Sequence, residues 1–119
     1  METTLHIVAK SKKNLQRKKL TVPYGKVVLF KSDINYTEIY LEGGERMIVS
    51  KTLKEMEKQL MGNNSFIRTH KSFMVNLAHV VSFQVNTSMT IQLSNGEVAT
   101  ISRRRKDNFL THYRQINQL

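Results

Sequence analysis

Short apolar stretches separated by turn-forming residues are the feature that most constrains how this chain can fold. Residues 27–30 (VVLF) form a continuous apolar run, and residues 36–41 (YTEIYL) alternate in polarity. The dipeptides Gly43-Gly44 and Asn95-Gly96 are both typical of tight turns between antiparallel strands, and Asn95-Gly96 predicts a type I′ turn. No strand alternates with a long helix in the rhythm of parallel βαβ units. The pattern predicts about eight short strands in a mainly β fold (α+β by element count), with mostly antiparallel pairing.

Two segments have the apolar spacing of a helix instead. Thr52 followed by Glu55 is a capping box, which predicts that a small helix spans residues 52–61. Its apolar face would consist of Leu53, Met56 and Leu60. A C-terminal helix over residues 108–119 is predicted from the spacing of Phe109, Tyr113 and Ile116.

The chain carries a net charge of +10, and the charge is unevenly placed. Residues 1–19 have a net charge of +5, residues 20–66 have none, and residues 67–119 again have +5. Such patterning favours nucleic acid as the partner, with an anionic membrane surface or an acidic protein as alternatives. In the second basic region, Arg103-Arg104-Arg105-Lys106 lies at the start of the expected terminal helix. Cations there oppose the helix dipole, and a local conflict of this kind indicates function.

Composition excludes several classes of protein. A length of 119 residues is typical of one domain, and the absence of cysteine excludes disulfides and thiolate zinc sites. No apolar run approaches the ~18 residues of a membrane-spanning helix. The N-terminus lacks the layout of a signal peptide. These observations predict a single cytoplasmic domain over residues 1–119 that does not enter the membrane, with residues 1–19 forming a strand and a basic arm.

The sequence contains no pattern that indicates catalysis. The four histidines, His6, His70, His79 and His112, include no i, i+4 pair and no neighbouring carboxylate at metal-ligand spacing. There is no glycine-rich phosphate loop, and no serine lies in a nucleophile-elbow context. We therefore expect a protein without enzymatic activity, metal or cofactor.

Residues 66–81 (FIRTHKSFMVNLAHVV) place a polar, cationic triplet between two apolar anchors, which predicts an exposed loop held at both ends. Residues 66–76 resemble the signature of the LytTR-type DNA-binding domain, which has the form F-x-R-x-H-[basic]-S-[aromatic]-x-V-N. Other family motifs follow in order: residues 27–40 resemble the early strand and loop, residues 52–55 the small helix, and residues 93–103 the late hairpin with its S-R. The resemblance covers about residues 20–109, and residues 110–119 would form the terminal helix.

The resemblance implies an elongated stack of short, mostly antiparallel sheets that binds double-stranded DNA. Three loops would enter successive major grooves, usually as two copies on a direct repeat, in order to regulate transcription. By position, the loops are residues 33–37, His70-Lys71 and the segment that begins at Arg103. Candidates for base contact are Asn35, Thr37, His70, Lys71 and Arg103. Candidates for phosphate contact are Arg68, Ser72, Arg104, Arg105 and Lys106.

Several roles within this resemblance stay open. His70 is either a DNA contact or a structural histidine that shapes its loop, whereas Asn76 is expected to bond local backbone. Many family members follow the receiver domain of a two-component response regulator. No receiver fits in the residues before the match, so the chain is either a stand-alone binder or a domain of a longer protein.

Two alternative functions remain compatible with the basic charge. An RNA-binding small β domain would need exposed aromatic side chains on which bases stack, and Tyr36 with Tyr40 are the only such pair on an outward strand face. A protein-interaction module would use the positive charge to meet an acidic partner and would not discriminate among DNA sequences.

Overall fold

Ten strands in two antiparallel sheets and two helices form residues 3–11 and 16–117, the part of the chain that the computed structural model describes. The strands are β1 (Thr4–Ser11), β2 (Lys18–Pro23), β3 (Val27–Asp33), β4 (Tyr36–Leu41), β5 (Arg46–Val49), β6 (Phe66–His70), β7 (Phe73–Asn76), β8 (Val80–Gln84), β9 (Thr90–Leu93) and β10 (Val98–Thr100). The helices are α1 (Leu53–Gln59) and α2 (Lys106–Asn117). The large sheet has the order β2-β1-β5-β4-β3-β7-β6, and the small sheet has the order β10-β9-β8. The mainly β, antiparallel class is thus confirmed.

The large sheet separates two hydrophobic cores. The first core lies between this sheet and α1, and it contains Leu53, Met56 and Leu60 from α1 and the residue after it. The second core lies between the opposite face, the small sheet and α2, and it contains Ile91, Ala99 and Phe109. The stacked layers give an elongated body of 42 × 30 × 25 Å.

Strand β3 contributes to both cores. Val27 and Phe30 belong to the first core, whereas Val28 and Leu29 belong to the second. A register shift between Val27 and Leu29 in the pairing with β4 lets two consecutive residues take the same face. The prediction that this apolar run is buried on both faces is confirmed.

Residues 66–76 form a β-hairpin, whereas the sequence predicted a loop held by apolar anchors. Alternate residues serve the two cores: Phe66 and Met74 pack in the first, and Ile67 and Val75 in the second. Only Lys71 and Ser72 remain as a turn between β6 and β7. Because both faces of this hairpin pack against a hydrophobic core, its apolar residues do not alternate with polar ones in the sequence.

The capping box of α1 is confirmed. The backbone N–H of Glu55 donates to Thr52 Oγ1 at 3.2 Å, and the backbone N–H of Thr52 donates to Glu55 Oε1 at 3.4 Å. Helix α2 is also confirmed, but it begins two residues earlier than predicted, at Lys106, and follows directly on a 3₁₀ helix at Arg103–Arg105. Residues 118 and 119 lie outside the described part of the chain, as do residues 12–15 of the basic arm.

The two predicted hairpin turns differ in geometry. Gly43 and Gly44 both have positive φ, 82° and 86°, so this turn between β4 and β5 agrees with the prediction. At Asn95-Gly96 only the glycine has positive φ, so the predicted type I′ turn, which needs positive φ at both residues, is wrong. The N–H of Gly96 donates to the carbonyl of Leu93 at 3.0 Å, as in a longer loop built on a type I turn.

No helix within residues 3–11 and 16–117 is both long and apolar enough to cross a membrane.

Candidate nucleic-acid interface

Three connecting segments meet at one end of the large sheet, and we call them together the three-loop surface. They are the β3–β4 turn (Ile34-Asn35), the β6–β7 turn (Lys71-Ser72) and the 3₁₀ helix Arg103–Arg105. The N–H of Ser32 donates to the carbonyl of Ser72 at 2.9 Å, which joins the first segment to the second. The N–H of Ser102 donates to the carbonyl of Thr69 at 2.8 Å, which joins the third to the second.

The first segment is a hairpin turn that projects two exposed side chains. Asp33 and Tyr36 form the last residue pair of the β3–β4 ladder, and Ile34 and Asn35 are exposed beyond it. The Asp33 carboxylate raises the pKa of Tyr36, mainly through its negative charge and also through a hydrogen bond with the phenol. The Asp33 carboxylate therefore interacts with the Tyr36 phenol at the base of the turn. The tip exposes the apolar side chain of Ile34 and the amide of Asn35.

Thr37 does not belong to this exposed tip. Its side chain is fully buried, and its Oγ1 donates to the carbonyl of Lys51 at 2.8 Å. The prediction that Thr37 contacts a base is wrong, because the side chain is buried within β4 and its hydroxyl bonds the carbonyl of Lys51, just before α1.

Thr37→Val should lower the free energy of unfolding by about 1 kcal/mol, because it removes one hydrogen bond and leaves the Lys51 carbonyl without it. Chemical denaturation of the variant measures this change. Because Thr37 would make no base contact, any DNA sequence preference of the unmodified chain should be kept by the variant. A changed DNA sequence preference with unchanged stability would show that Thr37 does contact a base.

The second segment is shaped by His70. Its Nδ1 accepts a hydrogen bond from the backbone N–H of Ser72 at 3.1 Å, which requires an unprotonated Nδ1 and places the proton on Nε2. Burial lowers the pKa of His70, and the charges of Lys71, Arg105 and Arg68 lower it further. His70 is therefore neutral at pH 7. Nδ1 holds the turn, and Nε2–H remains a donor.

Arg68 is engaged by its own protein. Its side chain is 12% exposed and pairs with Glu57 at 2.8 Å, and its Nε donates to the carbonyl of His70 at 3.0 Å. A further nitrogen donates to the carbonyl of Lys71. The guanidinium thus ties the second segment to α1, which is a structural role that the sequence did not indicate for this candidate phosphate contact.

The third segment and the residue after it carry four cations that differ in solvent exposure. Arg103 and Arg104 are exposed, whereas Arg105 and Lys106 are half-buried. Burial lowers the pKa of Arg105, and the neighbouring charges of Arg68 and Arg104 act in the same direction. The Ser102 side chain makes no capping bond to the turn that follows. The segment is held instead by the Ser102 N–H, and Thr69 Oγ1 adds a bond to the carbonyl of Thr100 at 3.0 Å.

Lys31 is a cation of this surface that was not among the predicted contact residues. It is exposed and pairs with Phe73 across the β3–β7 ladder, with its Nζ 5.9 Å from the centre of the Phe73 ring. It therefore stands beside the second segment. Its position in the sequence is the signal, since Lys31 ends the apolar run of residues 27–30 and lies three residues before Ile34.

The aromatic pair that an RNA-binding domain would need is absent from this part of the surface. Tyr40 is only 6% exposed and lies in the second core, where the Arg46 guanidinium carbon is 5.4 Å from the centre of its ring. Tyr36 and Tyr40 therefore cannot stack two bases on one outward face. Asn76 makes the expected local bond, since its Oδ1 accepts from the N–H of Ala78 at 3.0 Å. It is also buried, and its Nδ2 donates to the carbonyl of the distant Val27 at 2.8 Å.

Among residues 3–11 and 16–117, no three histidine, aspartate or glutamate side chains lie close enough together to hold a metal ion.

Comparison with known proteins agrees with this geometry. The sequence profile of the LytTr DNA-binding domain matches residues 17–114. The fold is similar to a solved structure from Bacillus cereus, described as the LytTr DNA-binding domain of a methyl-accepting/DNA response regulator, with a TM-score of 0.71 and 23% sequence identity. That similarity covers 94% of this chain and 97% of the other, and at this identity it establishes the fold alone. No curated protein sequence matches the chain.

Proposed function

Because this chain belongs to the LytTr DNA-binding domain family, we propose that it binds specific double-stranded DNA sequences through the three-loop surface and thereby regulates transcription. The observation that carries the proposal is the convergence of three segments, joined by backbone hydrogen bonds, at one end of the sheet. Each segment presents or adjoins an exposed cation, namely Lys31, Lys71 and Arg103. A row of cations supplies the phosphate attraction that accounts for much of DNA affinity.

The exposed polar groups are the ones that would contact bases in the major groove. Arg103 can donate two hydrogen bonds to guanine O6 and N7, and Asn35 can pair in the same way with adenine N6 and N7. The Nε2–H of His70 can donate to a base acceptor while Nδ1 holds the turn. Lys71 is exposed beside it and reaches a guanine or a phosphate.

The remaining cations would set the position of the domain on the duplex. Arg104 is exposed, and Arg105, Lys106 and the Ser72 hydroxyl are half-exposed, so all four can approach phosphates. Lys31 is a further candidate for phosphate contact. Arg68 is no longer proposed as one, since its guanidinium already bonds Glu57 and two backbone carbonyls.

Two wider features of the family also enter the proposal. We propose that two copies bind a direct repeat in successive major grooves, and that the domain works in the cytoplasm. A receiver domain of a two-component system would control it if the chain is one part of a longer protein. We propose a single domain with no enzymatic activity, in agreement with a family defined by DNA binding rather than catalysis.

Selection of binders from a random pool of DNA duplexes, at fixed salt, tests the function directly. The expected result is a recurrent motif, and a direct repeat of it if two copies bind. Recovery of no motif would contradict the proposal. A parallel competition between duplex DNA and single-stranded RNA separates the RNA alternative, and strong binding without any sequence discrimination would favour an acidic protein partner.

Arg103→Ala should weaken binding to the selected site by about 1–3 kcal/mol and relax the preference at one base pair, because it removes a bidentate base contact. Lys106→Ala is the matched control. It should weaken binding evenly across sequences and make the slope of log K against log salt shallower by about 0.9, the value for one phosphate contact. An unchanged sequence preference in Arg103→Ala would show that its assigned role is wrong.

A further inference from the structure

We propose that Ile34 recognises thymine, by packing its side chain against the C5-methyl group in the major groove. The inference rests on the proposed function and gives it a specific chemical preference. Ile34 is the most exposed of the large apolar residues in the described part of the chain, at 87%. It lies at the tip of the first segment of the three-loop surface, next to Asn35 and beyond the Asp33–Tyr36 pair.

The backbone at this position makes isoleucine an unfavourable choice for the free protein. Ile34 has a φ of 53°, which lies in the left-handed region. Glycine, asparagine and aspartate adopt this conformation with little cost, whereas a β-branched side chain there is strained. The side chain also gains no burial within the chain, because it is almost fully exposed. A single exposed apolar residue on a surface is ordinary, but one held at a strained tip among DNA-facing polar groups points to a contact made outside the protein.

The chemistry of the major groove supplies one apolar target. The thymine methyl group is the apolar feature among the hydrogen-bonding groups that base edges present there, and apolar side chains recognise it by contact. Asn35, the next residue, carries the amide that pairs with adenine N6 and N7. The tip Ile34-Asn35 therefore combines an apolar and an amide group, a pair that matches A·T base pairs.

Replacing thymines one at a time by deoxyuridine in the selected duplex tests this inference, since deoxyuridine lacks only the methyl group. At one or two thymines, the unmodified chain should bind about fourfold more weakly, the value for losing the burial of one methyl group. Ile34→Ala should bind the thymine and deoxyuridine duplexes equally at those positions. Ile34→Asn should behave in the same way, and it suits the positive φ, so a folding defect cannot imitate the result.

Val8→Ala is the matched control. Val8 is 52% exposed on β1, which β5 separates from β4 in the large sheet, and its variant should keep the full deoxyuridine effect. An equal deoxyuridine effect in the unmodified chain and in Ile34→Ala at every thymine overturns this inference while DNA binding stands. A random-duplex selection that yields no motif overturns both this inference and the proposed function.

Discussion

Phe109→Ala is expected to lower the free energy of unfolding by about 3–5 kcal/mol, the usual cost of removing a buried phenylalanine ring. Phe109 is fully buried in the second core, where its ring centre lies 5.2 Å from that of Phe83 and 5.9 Å from that of Tyr113. Its loss would loosen α2 from the small sheet. Because α2 follows directly on Arg103–Arg105, specific DNA binding should weaken as well. Denaturant unfolding and a binding titration measure the two effects.

Ile116→Ala is the control for this change, since Ile116 lies on the same helix and is 39% exposed. It should alter stability by less than about 0.5 kcal/mol, as is usual for surface positions. Phe109→Leu should fall between the two, because leucine fills part of the cavity. Equal stability of Phe109→Ala and Ile116→Ala would contradict the assignment of α2 to the second core.

Arg68→Ala is expected to destabilise the protein by about 2–3 kcal/mol. The substitution removes charge-assisted bonds to Glu57 and to the carbonyls of His70 and Lys71, and hydrogen bonds of this type are worth about 1.5–3 kcal/mol each. The total stays well below their sum because Glu57 is partly exposed and can be hydrated. The second segment would lose its attachment to α1, so sequence discrimination at its bases should decline. Thermal unfolding and the random-duplex selection measure these outcomes.

Arg104→Ala is the matched control, because Arg104 is exposed on the same surface. It should leave stability unchanged and make the salt slope shallower by about 0.9. If Arg68→Ala behaves like Arg104→Ala, with unchanged stability and a shallower slope, then Arg68 contacts a phosphate, as its position in the sequence motif first suggested.

The fold class was predictable because its signals are local. The capping box at Thr52 and the paired glycines at Gly43-Gly44 each depend on a few neighbouring residues, and both predictions are confirmed. The hairpin of residues 66–76 was missed because its pattern depends on two cores. Residues that alternate between two apolar layers produce an apolar block rather than an alternating strand, and the polar turn within it resembles a loop.

The candidate site was predictable where exposure follows from charge and turn chemistry. Asn35, Lys71, Arg103 and Arg104 are all exposed, as a DNA contact requires. The sequence did not indicate the internal bonds of Thr37 and Arg68, because their partners are distant in the chain. Thr37 bonds Lys51, and Arg68 bonds Glu57, contacts that neither residue's immediate neighbours reveal.

The main-chain bonds between the three segments have a consequence for how this domain could diverge. Ser32 binds Ser72, and Ser102 binds Thr69, in each case through backbone atoms alone. The spacing of the segments is therefore independent of the side chains that each presents. If these residues contact bases as proposed, exchanging Ile34, Asn35, Lys71 or Arg103 should change the preferred DNA sequence at single base pairs, while the backbone bonds keep the segments at the same spacing. Substitutions at the exposed positions of the three segments could therefore change which DNA sequence is bound without changing the fold.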